Sequence, residues 1–221
     1  MTFDFLILRQ HFPEMLSGVV TTVRITALSL VLGSFGGVVL CFGKLAGKGI
    51  GHVVSRFVID FFRTIPEFVL IFWVYSCLPL LMTLRLSSEA SAILALSLYS
   101  AAYLAEILRA GILSVDRGQL EASLSLGIPT ATIWVRVIVP PAVRRMSPAI
   151  ISFLSELVKV TALLSAISVA EITYQADILG GQTFAFLEFL TAAGALYFVI
   201  IFPLSMAARY SEHRLHRQGV R

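Results

Sequence analysis

GQLEASLSLGIPTATIWVRVIVPP, residues 118–141, decides how the rest of the chain is read. It lies between two very apolar stretches, yet it holds Glu121, Gly127, Arg136 and the Pro140-Pro141 pair. Extended back to Ser114, with Leu113 just before it, the stretch sets Leu113, Leu120, Leu124 and Leu126 among Asp116, Arg117, Gln119 and Glu121, a pattern suited to a helix lying partly against a surface. Gly127-Ile128-Pro129 is a stop and turn signal, because glycine takes the left-handed cap conformation and proline restricts the residue before it. An apolar segment restarts over 130–139 with Thr130 as its cap, and Pro140-Pro141 is expected to end it. The segment 114–141 therefore reads as helix, tight turn, helix. On pattern alone it is either a hairpin that closes a bundle or an element that docks a soluble partner.

The surroundings are those of a membrane protein. The chain has 221 residues, of which 57% are hydrophobic and 14% charged, too apolar for an ordinary soluble domain. Apolar runs recur at about 18–42, 65–84, 90–108, 146–170 and 189–208, each near the roughly 20 residues that cross a bilayer core. They are continuous and do not alternate, which excludes a β-barrel reading. The expected fold is all-α and polytopic, one domain over 1–221 with about five spans. Met1 to Ser17 lacks the pattern of a cleaved signal peptide and reads as an amphipathic lead-in. Cys41 and Cys77 fall in predicted spans without CxxC spacing and read as buried thiols.

Charge gives an orientation. Segments 43–64, 109–145 and 209–221 hold thirteen of the seventeen Lys and Arg residues and four of the thirteen acids. The 171–188 connection carries Glu171, Asp177 and Glu188 and no basic residue. The positive-inside tendency places the three basic segments in the cytoplasm, the amino terminus outside and the carboxyl terminus inside. The net charge is thus topology, and nucleic acid is not an expected partner. The Arg-rich tail is expected to meet lipid phosphates.

Catalytic readings fail. GKLAGKGIGH (43–52) resembles a phosphate loop only superficially: with Gly43 and Lys44 in the last fixed places, the first glycine would be Val38 and the hydroxyl residue Leu45. The four histidines show no HExxH spacing, and nothing selects a serine for a triad. No cofactor, metal or catalytic residue is expected on this chain.

Glu121-Ala122-Ser123, then Gly127, then Ile138 and Pro140, resemble the cytoplasmic signature loop of importer-type ABC transporter permeases, with Ser123 in place of an alanine. The resemblance covers nearly the whole chain and points to the polar amino acid uptake family, which includes permeases for histidine, glutamine, arginine and opines. GVVTTVRITALSLVLG (18–33) is similar to its first span, and Arg63 and Pro66 in FFRTIPEFVLIFWVYSCLP (61–79) to its entry into the next. Tyr103, Glu106, Arg109, Gly111, Ile112, Gly118 and Gln119 stand where that family has them. The resemblance implies the type I importer permease fold, with Gly118, Gln119, Glu121, Ala122, Ser123, Gly127, Ile138 and Pro140 coupling it to an ATPase. It also implies Mg-ATP on a separate pair of ATP-binding subunits, a periplasmic solute-binding protein and a bacterial inner-membrane location. The second permease is a copy or a relative, and a heterodimer in an opine or basic amino acid system is the expected case.

Lys159-Val160-Thr161-Ala162-Leu163 departs from the family's Lys-Asp-Thr-Ser-Leu, and Glu67 follows Pro66 where the family often has an apolar residue. Membrane-embedded charge is costly. Glu156 and Lys159 either pair with each other, or with Glu106 and Glu67, or these residues border a central pathway in which Glu67 or Glu156 meets the cationic part of an amino acid derivative. Tyr99, Tyr103 and Tyr75 are further lining candidates. The 171–188 connection is a candidate contact for the solute-binding protein. The rival classes are a secondary transporter, which would call for paired repeats or ion-coupling positions, and a non-transporting membrane scaffold.

Overall fold

The computed structural model describes residues 3–83 and 85–217. A short helix α1 (Phe5–Gln10) precedes α2 (Phe12–Leu45), α3 (Ile50–Thr64), α4 (Glu67–Met82), α5 (Ser88–Leu113), α6 (Arg117–Ser125), α7 (Thr130–Ile167), α8 (Ile172–Thr183) and α9 (Phe186–Arg217). Four of these, α2, α5, α7 and α9 within their apolar stretches, are long and apolar enough to cross a membrane. The pair α3 and α4, bent by 107° at Ile65-Pro66, makes a fifth when taken as one broken span. The bend has a local cause: Pro66 disfavours a helical Ile65, which is extended with ψ 134°, and a new helix starts after it.

Helices α2 and α5 run side by side in the same direction, and small residues set their separation. A methyl group at Gly37 would meet Leu104 Cβ at 3.0 Å and the Ala101 carbonyl at 3.2 Å, and one at Gly33 would run into Ser100. The same helix approaches α8 at Gly18, 3.0 Å from Ile172 Cα, and α3 at Gly43 beside Ser55. The glycine stripe of the first span is therefore its contact surface with three neighbours. Around it the core gathers Ile25, Leu70, Val74, Leu96, Tyr99, Leu104, Phe153, Leu157 and Leu164. Val31, Phe35 and Val39 on α2, and Phe198, Val199 and Phe202 on α9, are exposed, as expected of faces turned to lipid or to another subunit.

Two expectations fail at prolines. Pro140-Pro141 do not end a helix; α7 runs on through them to Ile167. A π-turn at Trp134–Ile138 makes this tolerable, with the Val139 N–H donating to the Trp134 carbonyl five residues back. The wider turn redirects the hydrogen bonds just where proline removes a donor and crowds the preceding turn. The same device occurs at Trp73–Cys77, where Leu78 N–H donates to the Trp73 carbonyl ahead of Pro79. Thr130 is the first helical residue and not the cap, which is Pro129.

Two further corrections concern burial. Cys41 is buried but Cys77 is exposed. In the 171–188 connection Glu171 is fully buried and Glu188 nearly so, leaving Asp177 as the exposed acid there. Glu171 accepts from Thr173 N (2.9 Å), Tyr174 N (2.7 Å) and the Tyr197 hydroxyl (2.5 Å), so it caps α8 and ties it to α9. A fully buried acid already committed to three donors is out of reach of a soluble protein.

Candidate functional site

The helix α6 stands outside the bundle, fixed at both ends by its own sequence. Asp116 Oδ1 accepts from Gly118 N at 2.6 Å, which satisfies one of the orphan donors of the first turn. At the other end Ile128 N donates to the Ser123 carbonyl (3.2 Å) and Gly127 N to the Leu124 carbonyl (3.0 Å). That pair of bonds is a Schellman motif, and Gly127 sits in its left-handed position at φ 67°. A side chain at Gly127 would meet no atom within 4 Å. Space within the chain therefore does not call for glycine here; the backbone angle does.

Gly118, Gln119, Glu121, Ala122 and Gly127 are exposed, and Pro140 is exposed on α7. Ser123 is buried, its hydroxyl donating to the Gln119 carbonyl at 2.7 Å, and Ile138 is buried. A small residue at position 123 lets the helix sit close to the bundle. Beneath it a cleft of about 250 Å³ is lined by Leu45, Ile112, Leu120, Trp134 and Ile138. Leu124 and Leu126, by contrast, point away and are 54% and 78% exposed. Glu121 forms no ion pair among the described residues.

The intramembrane candidates divide into two groups. Tyr103 stacks on Phe153 (5.6 Å between centroids), and Tyr99 packs tilted against Tyr103 (4.6 Å) and Phe153 (5.9 Å), forming an aromatic wall between α5 and α7. Tyr99 is buried, Tyr103 half-buried and Tyr75 exposed. Glu67 is half-buried in the first turn of α4. Glu156 and Lys159 pair with each other at 3.1 Å and are each about half exposed, 52% and 55%.

Glu106 belongs to neither charge. It takes Lys44 Nζ at 3.0 Å and Arg109 Nε at 3.1 Å, near the other end of α5, so the pairing of Glu106 with Lys159 does not occur. Lys44 also reaches Asp60 at 3.8 Å, and the cluster clamps the ends of α2, α3 and α5 together. Gly111 marks a close crossing of α5 and α7, where a methyl would meet Met146 Cβ at 3.1 Å. Arg63 lies 5.3 Å from the Tyr103 ring centre. Sequence reasoning missed two contacts, Glu171 to Tyr197 and Arg145 to the Ser114 carbonyl. Arg145 had a signal only as a membrane-flanking charge, and Glu171 only as one acid in an acidic connection.

Residues 40–217 match the model of the binding-protein-dependent transport system inner membrane component family. The chain belongs to that family. As an ABC permease it is a membrane transport subunit, with ATP hydrolysis carried on a separate subunit. It is 33% identical to the arginine transport system permease protein ArtQ of Bacillus subtilis (strain 168) over 97% of this chain and 98% of that one. It is 32% identical to the glutamate/aspartate import permease protein GltK of Escherichia coli O157:H7, over 96% and 98%. Among solved structures it is similar to a chain in the crystal structure of an amino acid ABC transporter with histidines, with TM-score 0.88 and 32% identity over 97% of this chain and 100% of that one. The inward-facing MetNI methionine ABC transporter, at 20% identity and TM-score 0.71, shares the permease fold. The all-α type I permease fold and the family expected from the signature loop are both found.

Proposed function

We propose that this permease imports a polar amino acid or amino acid derivative across the bacterial inner membrane, with Mg-ATP hydrolysed on a pair of partner subunits and solute delivered by a periplasmic binding protein. The observation that carries the coupling half of this reading is α6, a doubly capped helix outside the bundle with Leu124 and Leu126 exposed. Exposed leucines on a rigid, charged margin are suited to a groove on another protein. Gly118, Gln119, Glu121, Ala122, Ser123 and Gly127 form that contact or shape it, and Ile138 and Pro140 link it to α7. The amino terminus is outside and the carboxyl terminus cytoplasmic, in keeping with the basic residues around α6 and the end of α9.

The pathway half rests on the Glu156–Lys159 pair. A charge at the centre of a membrane helix costs about 2.5–3.5 kcal/mol on insertion scales, so a half-exposed pair there faces water or another subunit and not lipid. Glu67 and Tyr103 line the same route, with buried Tyr99 packed behind Tyr103. The second permease is a copy or a relative, a heterodimer in an opine or basic amino acid system being the favoured case. Pro66, Glu106, Arg109 and Gly111 hold the frame, and Arg63 lies over the Tyr103 ring at its edge.

The test is reconstitution of the complex with its ATPase and binding protein, comparing wild type with Gly127→Val. Valine at a left-handed angle is strained by about 1–3 kcal/mol, which distorts the cap without touching the bundle. The expected result is normal membrane assembly with uptake per ATP hydrolysed lowered at least several-fold. Wild-type coupling in that variant would sink the role given to α6.

A further inference from the structure

Arg63, at the end of α3, and Arg145, on α7, line one cleft of about 320 Å³ together with Tyr103, Ser114 and Met146. Neither guanidinium forms an ion pair among the described residues. Arg63 lies over the Tyr103 ring face, at 5.3 Å. Arg145 donates to the Ser114 carbonyl, and its Nε is buried with no acceptor. Glu106 also borders the cleft but is already held by Lys44 and Arg109. A buried guanidinium N–H without a partner is costly, and among the described residues nothing fills that place, so it is open to an acceptor entering the cleft.

The cleft itself limits what that acceptor is. Its volume is at the small end of ligand pockets, which run from about 300 Å³ upward, and Ile107, Ala110 and Ala149 give it apolar walls. Two guanidinium forks are matched to a carboxylate. The position is as informative as the composition. Arg145, Ala149, Phe153 and Glu156 recur on one face of α7, and Tyr99, Tyr103, Ala110 and Ser114 on one face of α5. The cleft is thus the continuation, toward the α6 end, of the strip that carries the aromatic wall and the Glu156–Lys159 pair.

From these observations we infer that Arg63 and Arg145 form a carboxylate subsite on the cytoplasmic half of the permease, occupied by the transported amino acid on its way out. The inference rests on the import reading above. An amino acid that has accumulated inside reaches the same subsite from the cytoplasm and slows further uptake.

The test uses the whole transporter in phosphatidylcholine vesicles containing ATP, with its binding protein outside. Initial uptake of labelled L-arginine or L-glutamine, whichever the wild type takes up, is compared between empty vesicles and vesicles preloaded with the same amino acid or its carboxamide. Taking the ratio within each variant cancels any loss of basal rate. Preloading is expected to slow the wild type several-fold and the carboxamide to leave it unchanged. Arg145→Gln and Arg63→Gln should each need about tenfold more internal amino acid for the same slowing, and Arg63→Lys less than that. Arg63 is exposed and bonds no backbone, so its variant keeps the test intact if Arg145→Gln fails to assemble. Unchanged inhibition in Arg63→Gln, or equal inhibition by the carboxamide, overturns the subsite. Relief of wild-type inhibition by adding phosphatidylglycerol identifies a lipid phosphate as the occupant and overturns it as well. If the wild type takes up no amino acid even into empty vesicles, the import reading fails and the subsite with it.

Discussion

Glu171 shows how far a single side chain reaches in this fold. Burial pushes its carboxyl up, while the Tyr197 hydroxyl and the Thr173 and Tyr174 amides pull it back. All of those donors lose an acceptor if the side chain is removed, and unsatisfied buried donors cost about 1–3 kcal/mol. Glu171→Ala should therefore lower the thermal unfolding midpoint of the purified complex by several degrees, and Glu171→Gln, which keeps an acceptor oxygen, by less. An unchanged midpoint for alanine would mean that α8 is held by packing against Gly18 and Phe189 alone. At this scale the sequence was half legible. Gly127 announced its cap because only glycine sits easily at a positive φ followed by Ile-Pro. Glu171 announced nothing, because its acceptor role depends on Tyr197, which lies 26 residues away in sequence.

Elements were legible where one residue dictates local geometry and illegible where neighbours share the decision. The glycines of α2 foretold close helix approach, and Pro66 foretold a break. Pro140-Pro141 misled, because a proline inside a helix usually ends it, and the π-turn that rescues the helix carries no composition signal of its own. Only the parallel between Trp73-Val74 ahead of Pro79 and Trp134-Val135 ahead of Pro140 marks the device. A π-turn is one residue inserted into an α-helix, so losing it rotates everything beyond it by about 100°. Pro140→Ala restores the missing N–H and removes the reason for the wide turn. The expected outcome is a protein that still inserts and binds its partners but transports several-fold less per ATP hydrolysed, because α6 is turned relative to α7. Normal coupling in Pro140→Ala would show that the π-turn persists without proline or that its angle is immaterial.

For the molecule as a whole, the α6 end and the middle are built for different work. The α6 end is pinned by Lys44, Asp60, Glu106 and Arg109, a cluster that joins three helices and leaves little freedom there. The middle has no such clamp: Glu156 and Lys159 satisfy one another on an open face, and Glu67 stands at the broken span with no ion pair among the described residues. Rigid attachment at one end and loosely held charge in the middle is what alternating access through a shared pathway calls for. If those carboxylates meet the solute, Glu67→Gln and Glu156→Gln remove attraction for a cationic side chain without changing shape. Uptake of L-arginine should then fall relative to L-glutamine by about tenfold, corresponding to roughly 1.4 kcal/mol of lost interaction. Glu156→Gln should show the larger change, because it also frees Lys159, whose charge repels the same solute. Equal loss for both amino acids would assign these residues to packing between subunits, and no loss would remove them from the pathway.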